Sequence, residues 1–296
     1  MKTYRILSLG AGVQSTALYL MAMKFEIEPI DCAIFADTQE EPAEVYRHLE
    51  WMKSLGGPRI YVGTQGSLGD QLIHGVPTLT TRKGSRNTTG NHFASIPAFT
   101  LNGTKKGITR RQCTAEFKLN VIDRTFKREI VGLVPRQRMP KDVQLQQIIG
   151  ISLDETKRAL RIRDNHRDND PWWKLEPQFP LIKNLITRED CKTYLAKHCP
   201  HVVPRSACVF CPYHNNAEWR RLKADSVSWA RIVAIDVAIR DVEKSRACYK
   251  AGGQLFLHNS CKPITEVDFG TEGEDDVKDQ QTNMGFWKEC LGMCGN

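Results

Sequence analysis

Two rhythms of apolar and polar positions alternate over the first sixty residues. YRILSL (4–9), DCAIFADT (31–38) and RIYVG (59–63) are short, nearly continuous apolar runs, the pattern of strands buried on both faces. Between them, VQSTALYLMAMKF (13–25) and EPAEVYRHLEWMKSLG (41–56) read as helices, the second with Pro42 near its first turn and Gly56-Gly57 after its end. This β-α-β-α-β alternation predicts an α/β fold with a doubly wound parallel sheet. The rhythm lapses over 64–112, a loop length uncommon in compact domains. It resumes with a helix near 115–130, a strand running into a turn and helix over VQLQQIIGISLDE (143–155) and a polar excursion, DNHRDNDPWW (164–173). A helix over ITREDCKTYLAKHC (186–199), one or two helices over 216–245 and a short extended segment, GQLFLH (253–258), complete the pattern. The expected division is an α/β domain over 1–185 and a helical, cysteine-bearing region over 186–296.

Composition narrows the class. The 296 residues, 41% of them hydrophobic, suffice for one large core with or without a smaller subdomain. The first apolar stretch is too short for a signal peptide, and no run approaches the ~18 apolar residues of a membrane span. The expectation is a soluble, cytoplasmic protein without a membrane partner. Ten cysteines in a reducing compartment point to metal binding or thiol chemistry rather than a disulfide framework.

The net charge of +8 is unevenly spread. Between residues 82 and 111 lie Arg82, Lys83, Arg86, Lys105, Lys106, Arg110 and Arg111, with no acid among them, whereas EGEDD (272–276) is acidic. Such a basic segment suits a polyanion, either tRNA or DNA or the phosphates of a nucleotide; a solvated loop has the same composition.

SLGAGVQSTAL (8–18) is a glycine-rich turn between the first strand and the first helix. Backbone N–H groups and a helix dipole favour phosphate there. It is not a Walker loop, because Val13-Gln14 follow Gly12 where Lys is needed, and Ser15 stands where the Rossmann pattern needs its third glycine. The stretch resembles the pyrophosphatase loop of the PP-loop ATPases and their phosphoadenylyl-sulfate (PAPS) reductase relatives, Ser-Gly-Gly-x-Asp-Ser. Gln14 replaces the family's acid and Gly10 its leading serine. Further segments agree in order. FADTQEEPAEVYRHLEWM (35–52) resembles the Asp-Thr-Gly-x-Glu segment with Gln39 for Gly, and RRQCTAEFKLNVI (110–122) the Cys-Thr-x-x-x-Lys segment. IIGISLDETKRAL (148–160) is similar to Gly-x-x-x-x-Glu-x-x-Arg, and PLI (180–182) and CVFCP (208–212) continue the order.

The resemblance covers roughly residues 4 to 225 and implies an adenine-nucleotide α-hydrolase-like fold. It implies a site for ATP or PAPS formed by Ser8, Gly10, Ala11, Gly12, Gln14, Ser15, Thr16 and Gly150, with the backbone from Ile34 through Phe35 to Asp37 along the base and Mg²⁺ on the phosphates. Lys118 and Arg158 are candidate catalytic phosphate partners, since cationic side chains suit phosphate oxygens; each is otherwise an ordinary salt-bridged base.

Cys208 and Cys211 form a C-x-x-C that lacks the surroundings of a thioredoxin-type unit. A metal needs a third ligand, for which Cys113 is the natural candidate, and Cys290 or Cys294 in the tail offers a fourth. Four thiolates suit Zn²⁺ or a 4Fe–4S cluster equally; the resemblance favours 4Fe–4S. Cys290 is a cluster ligand or, as in the tail cysteine of PAPS reductases, a catalytic nucleophile. Cys32, Cys191, Cys199 and Cys248 read as buried or incidental.

Three functions follow. One is ATP-dependent adenylation of a nucleic-acid target, then sulfur insertion aided by a sulfur-donor protein. Another is a sulfonucleotide reductase. The last is a non-catalytic nucleotide-sensing module of phage or defence origin. A homodimer is left open.

Overall fold

The computed structural model describes residues 2–77, 91–92, 94–102, 105–168, 174–241 and 254–271. The opening elements follow the apolar rhythm: β1 (Lys2–Leu9), α1 (Val13–Met23), β2 (Cys32–Asp37), α2 (Ala43–Ser54) and β3 (Arg59–Thr64). Then come α3 (Leu68–Ile73), the two-residue strands β4 (Val76–Pro77) and β5 (Asn91–His92), and the hairpin β6 (Phe99–Asn102) and β7 (Lys105–Ile108). α4 (Gln112–Thr114) leads through a π-helical turn (Ala115–Leu119) into α5 (Asn120–Thr125) and a second such turn (Phe126–Ile130). β8 (Val143–Ile149), α6 (Thr156–Asp168), β9 (Lys174–Gln178), α7 (Pro180–Lys183) and α8 (Arg188–His198) follow. The described chain ends with α9 (Asn216–Ala224), α10 (Ser226–Ile239) and β10 (Leu255–Phe256).

Five strands form a parallel sheet in the order β3-β2-β1-β8-β9. Alternate residues of its central strands enter different cores, because successive side chains point to opposite faces. Leu7, Leu9, Ala33 and Phe35 pack with Leu18, Leu49, Met52 and Leu195 of α1, α2 and α8. Ile6, Cys32, Ile34 and Ala36 pack with Val121, Ile122 and Phe126. Helices therefore cover both faces of the sheet. α8, beyond the 185/186 boundary drawn from the sequence, contributes Cys191 and Leu195 to the first of these cores. A further core joins α3, α9 and α10 through Leu68, Leu72, Trp219, Ile232 and Ile235, with Cys113 and Cys208 against it. Among the described residues no helix is long and apolar enough to cross a membrane.

Two elements depart from the expected pattern. The stretch expected to be irregular holds α3 and the hairpin, whose β6 pairs with distant β10. Strands of two to four residues held by non-local partners leave no local periodicity to read. β9 falls at the end of a polar stretch and carries Pro177; its place at the sheet's edge explains why the proline is tolerated. Residues 216–239 resolve into two helices at Asp225, whose carboxylate accepts from Ser228 N (3.3 Å) and caps α10.

Candidate functional site

Successive strands step away from β1 on one side through β2 and β3, and β8 lies on the other side. That reversal opens a crevice beyond the carboxyl ends of β1 and β8, where open α/β sheets take ligands. The turn after β1 enters it. Its left-handed residue is Ala11 (φ 54°), whereas Gly12 is extended with φ −104°. The N–H groups of Gly10 and Gly12 both donate to Ser15 Oγ at 3.3 Å, so Ser15 closes the turn.

From the other side comes Gly150, just past β8. A Cβ there would stand 3.0 Å from Ser15 N and 3.3 Å from Gln14 C. This absent side chain lets the two turns touch. Gly150→Val is expected to push them apart, lowering stability by about 2 kcal/mol and loosening the turn. Chemical denaturation checks the first effect; unchanged stability would show that the crevice has slack.

Gln14 is 2% exposed and committed. Its Nε2 donates to Ser152 Oγ (3.0 Å) and Glu155 Oε2 (2.5 Å), and its Oε1 accepts from Arg188 Nη1 (2.9 Å). Arg158, also nearly buried, pairs with Glu155 at 3.0 Å. Burial raises the Glu155 pKa, opposed by Arg158 and Arg188. Where the resemblance expects an acid facing phosphate, this chain has an amide that ties the β1 turn to the β8 turn and α8. Ser8 is likewise engaged, accepting from Gln147 Nε2 (2.7 Å). Thr16 Oγ1 lies 2.9 Å from His48 Nε2, and His48 Nδ1 lies 2.8 Å from His201 Nε2.

The β1–β2 ladder stops at Leu9 beside Phe35, while β2–β3 pairing continues to Asp37 beside Thr64. Ala36 and Asp37 thus project past β1 as a lip along the crevice. The side chains of Ile34 and Phe35 are buried in the two cores. Asp37 Oδ1 accepts from Gln39 N (2.7 Å) and Tyr46 Oη (2.9 Å).

Cys113, Cys208 and Cys211 line one cavity of about 30 Å³, together with Thr38, Arg111, Lys118 and Ser206. Folding has joined α4 to the C-x-x-C turn. That turn is built by Cys211 N–H donating to Cys208 O (2.9 Å) and is anchored to the β2–α2 loop by Val209 N–H donating to Glu40 O (2.8 Å). His214 Nε2–H donates to Cys208 O (2.9 Å). Cys208 Sγ lies 3.2 Å from Thr38 Oγ1. Burial, and then Glu41, push its thiol well above the ordinary value, while Lys118 opposes them. Glu41, buried, accepts from Ser206 Oγ (3.2 Å) and lies 3.7 Å from Lys118 Nζ.

The three thiols suit a soft metal as donors. Among the described residues no group of three or more His, Cys, Asp or Glu is arranged to hold a metal ion; the fourth candidate ligand, Cys290, lies outside them. Cys290, Cys294 and Cys248 lie outside the described residues, as do Arg82, Lys83 and Arg86 of the basic segment. Of the rest, Lys105 and Lys106 belong to β7, and Lys106 Nζ donates to Asn259 O (3.0 Å). Arg111 lies over the Tyr213 ring, 5.3 Å from its centroid, and reaches the thiol cavity.

Glu41, His214 and Arg188 were not singled out from the sequence. Glu41 alone had a local signal, the acidic pair Glu40-Glu41, which follows the end of β2 after two intervening residues. No family model, curated protein or solved structure matches this chain. Fold and site together define a parallel α/β protein with a switch-point crevice and a three-thiol cavity beside it.

Proposed function

We propose that the chain is an adenine-nucleotide-dependent enzyme of sulfur chemistry, of the PP-loop and PAPS-reductase-like superfamily, with an adenine-nucleotide α-hydrolase-like core and a cysteine-bearing helical C-terminal part. The observation that carries this reading is Ser206. It borders the thiol cavity, and its Cβ lies 3.7 Å from the point a Gly12 Cβ would occupy. The phosphate turn and the thiols share one wall.

In this reading the Gly10–Thr16 turn receives phosphate, the long 3.3 Å bonds to Ser15 Oγ yielding to phosphate oxygens. The Ala36–Asp37 lip runs along the base, and Mg²⁺ enters with the nucleotide. Lys118 faces the negative charge that develops between phosphate and thiols. An oxygen of a tRNA or DNA target attacks the α-phosphorus of ATP, and pyrophosphate leaves. A sulfur nucleophile from a donor protein then displaces AMP, forming the bond from target to sulfur. Cys113, Cys208 and Cys211 would hold a 4Fe–4S cluster with one iron left for a further ligand, either that sulfur, for which it would act as a Lewis acid, or Cys290; the four cysteines would alternatively suit Zn²⁺.

Arg111 favours a second reading. A base of the 82–111 segment at the thiols suits the anionic group of a sulfonucleotide, as in a reductase. The buried, engaged Gln14 amide favours a nucleotide sensor. Products separate the three: ATP-dependent pyrophosphate release, thioredoxin-dependent sulfite release, or binding with neither.

The direct test is anaerobic purification with metal analysis and calorimetry against ATP. Cys113→Ser, Cys208→Ser and Cys211→Ser should each abolish an absorbance at about 400 nm and the bound iron. Stoichiometric zinc without iron would overturn the cluster, and absence of adenine-nucleotide binding would overturn the reading as a whole.

A further inference from the structure

Helix α10 is built inside out. Within Ser226–Ile239 the charged residues are Arg231 and Asp236, and both engage their own molecule. Arg231 Nε donates to Glu40 Oε2 (3.0 Å), and its guanidinium reaches Asp70 (2.7 Å). Asp236, 1% exposed, accepts from Ile264 N (3.0 Å) and pairs with Arg240. Ile232, Ile235 and Ile239 fill the core beneath. Outward stand Val227, Ala230, Ala234 and Val237, all exposed, Val227 at 78% and Val237 at 56%. Steps of three, four and three residues set these four in one stripe, because the helix turns every 3.6 residues. The helices that cover the sheet are the reverse. α2 turns Arg47, Glu50 and Lys53 to solvent, and α8 turns Glu189, Lys192 and Lys197. A stripe of apolar side chains in place of such charges marks an interaction surface.

The stripe reads the same in both directions. Val227 and Val237 lie five residues either side of position 232, and Ala230 and Ala234 lie two either side. Such a face is its own complement in an antiparallel pair about a two-fold axis. Valine then meets valine and alanine meets alanine, and the small alanines let the two helices approach closely. The ends agree in charge. Lys223 and Asp225 precede the stripe, and Arg240 and Asp241 follow it. Antiparallel packing brings one acid and one base of each copy against one base and one acid of the other. The opposed helix dipoles attract as well.

We propose that α10 is the surface through which two copies of this chain pair, antiparallel, about a two-fold axis at the level of position 232. The palindromic stripe selects a second copy over an unrelated helix. The pairing goes beyond the sulfur-chemistry reading and does not depend on it. One helix pair is a small interface beside the ~800 Å² per partner of a standard complex, so the dimer is reversible.

Sedimentation velocity over a concentration series tests it on wild type, Ala230→Lys, Ala234→Glu and the double variant. Both alanines are exposed, on a helix that Lys and Glu suit, so the four proteins should unfold at similar temperatures. Wild type should pass from monomer to dimer as concentration rises. Each single variant should weaken the dimer about tenfold or more, because it places an unpaired charge in the interface. The double variant should regain dimer, since position 230 of one copy lies opposite position 234 of the other and each lysine then meets a glutamate. Wild type that stays monomeric throughout the series, or single variants that dimerise as wild type does, overturns the proposal. A double variant no better than the single ones overturns it too, by excluding the antiparallel register. Monomeric wild type together with a lowered unfolding temperature in Ala234→Glu would show instead that another part of this chain covers the stripe.

Discussion

Arg231→Met is expected to destabilise the protein by about 3 kcal/mol, because it leaves a buried carboxylate without its counter-charge. Glu40 is 4% exposed. Its Oε1 accepts from Ser67 Oγ (2.8 Å), Gly69 N (2.9 Å) and Arg231 Nη2 (2.5 Å), and its Oε2 from Arg231 Nε (3.0 Å). Arg231 also reaches Asp70 at 2.7 Å. One guanidinium thus ties α10 to α3 and to the loop after β2. Gly69 is glycine for the same reason, since a Cβ there would stand 2.4 Å from Glu40 Oε1. Glu40 also carries the thiol cavity, since its carbonyl holds Val209 of the C-x-x-C turn. Urea unfolding of Arg231→Met and of the double variant Arg231→Met/Glu40→Gln separates the terms. The double variant should recover part of the loss, because it removes the orphaned charge. A single variant within 0.5 kcal/mol of wild type (roughly the scatter of ordinary surface changes) would mean that the network is ornamental.

Mild acid is expected to unfold the protein through its buried histidines. Burial holds His214 neutral, with its pKa lowered to about 3, and His48 and His258 at about 4. Neighbouring charges push the same way: Arg205 on His214, His201 on His48 and Lys106 on His258. An unfolded histidine titrates near 6.5. Below that pH the unfolded chain binds protons that the folded chain refuses. Stability therefore falls as pH drops from about 6.5 toward 4 and levels off only below the folded values. At about 1.4 kcal/mol per unit, His214 alone accounts for about 3 kcal/mol by pH 4. Glu155 and Asp236, whose pKa values burial raises, act oppositely at the acidic end. Unfolding midpoints at several pH values between 7.5 and 4 give the slope, and His214→Asn should reduce it. A wild-type midpoint that is flat between 6.5 and 4.5 would contradict the assignment of neutral, buried imidazoles.

The path from β1 to β3 was legible in the residues because the buried part of β1 and the whole of central β2 are nearly continuous apolar runs, although β3, expected to be buried on both faces, lies at the sheet's edge and is exposed or half-buried at every position. Their helices were legible for a related reason: one face meets the sheet, and glycine or proline marks the ends. Local chemistry also marked the turn at 10–16 and the C-x-x-C, and it singled out Cys113, which folding brings to the same cavity. The sequence did not reveal β9, where edge placement excuses Pro177, nor the hairpin whose partner is β10.

Tertiary structure alone decided the polar partnerships of the site. Nothing local to Gln14 announces that its amide will be spent on Ser152, Glu155 and Arg188, because burial at the meeting of two distant turns makes those bonds obligatory. Apolar periodicity is dictated by each element's own faces and can be read one segment at a time. Polar partnership depends on which segments the sheet order brings together, and that order is fixed only when the whole core closes.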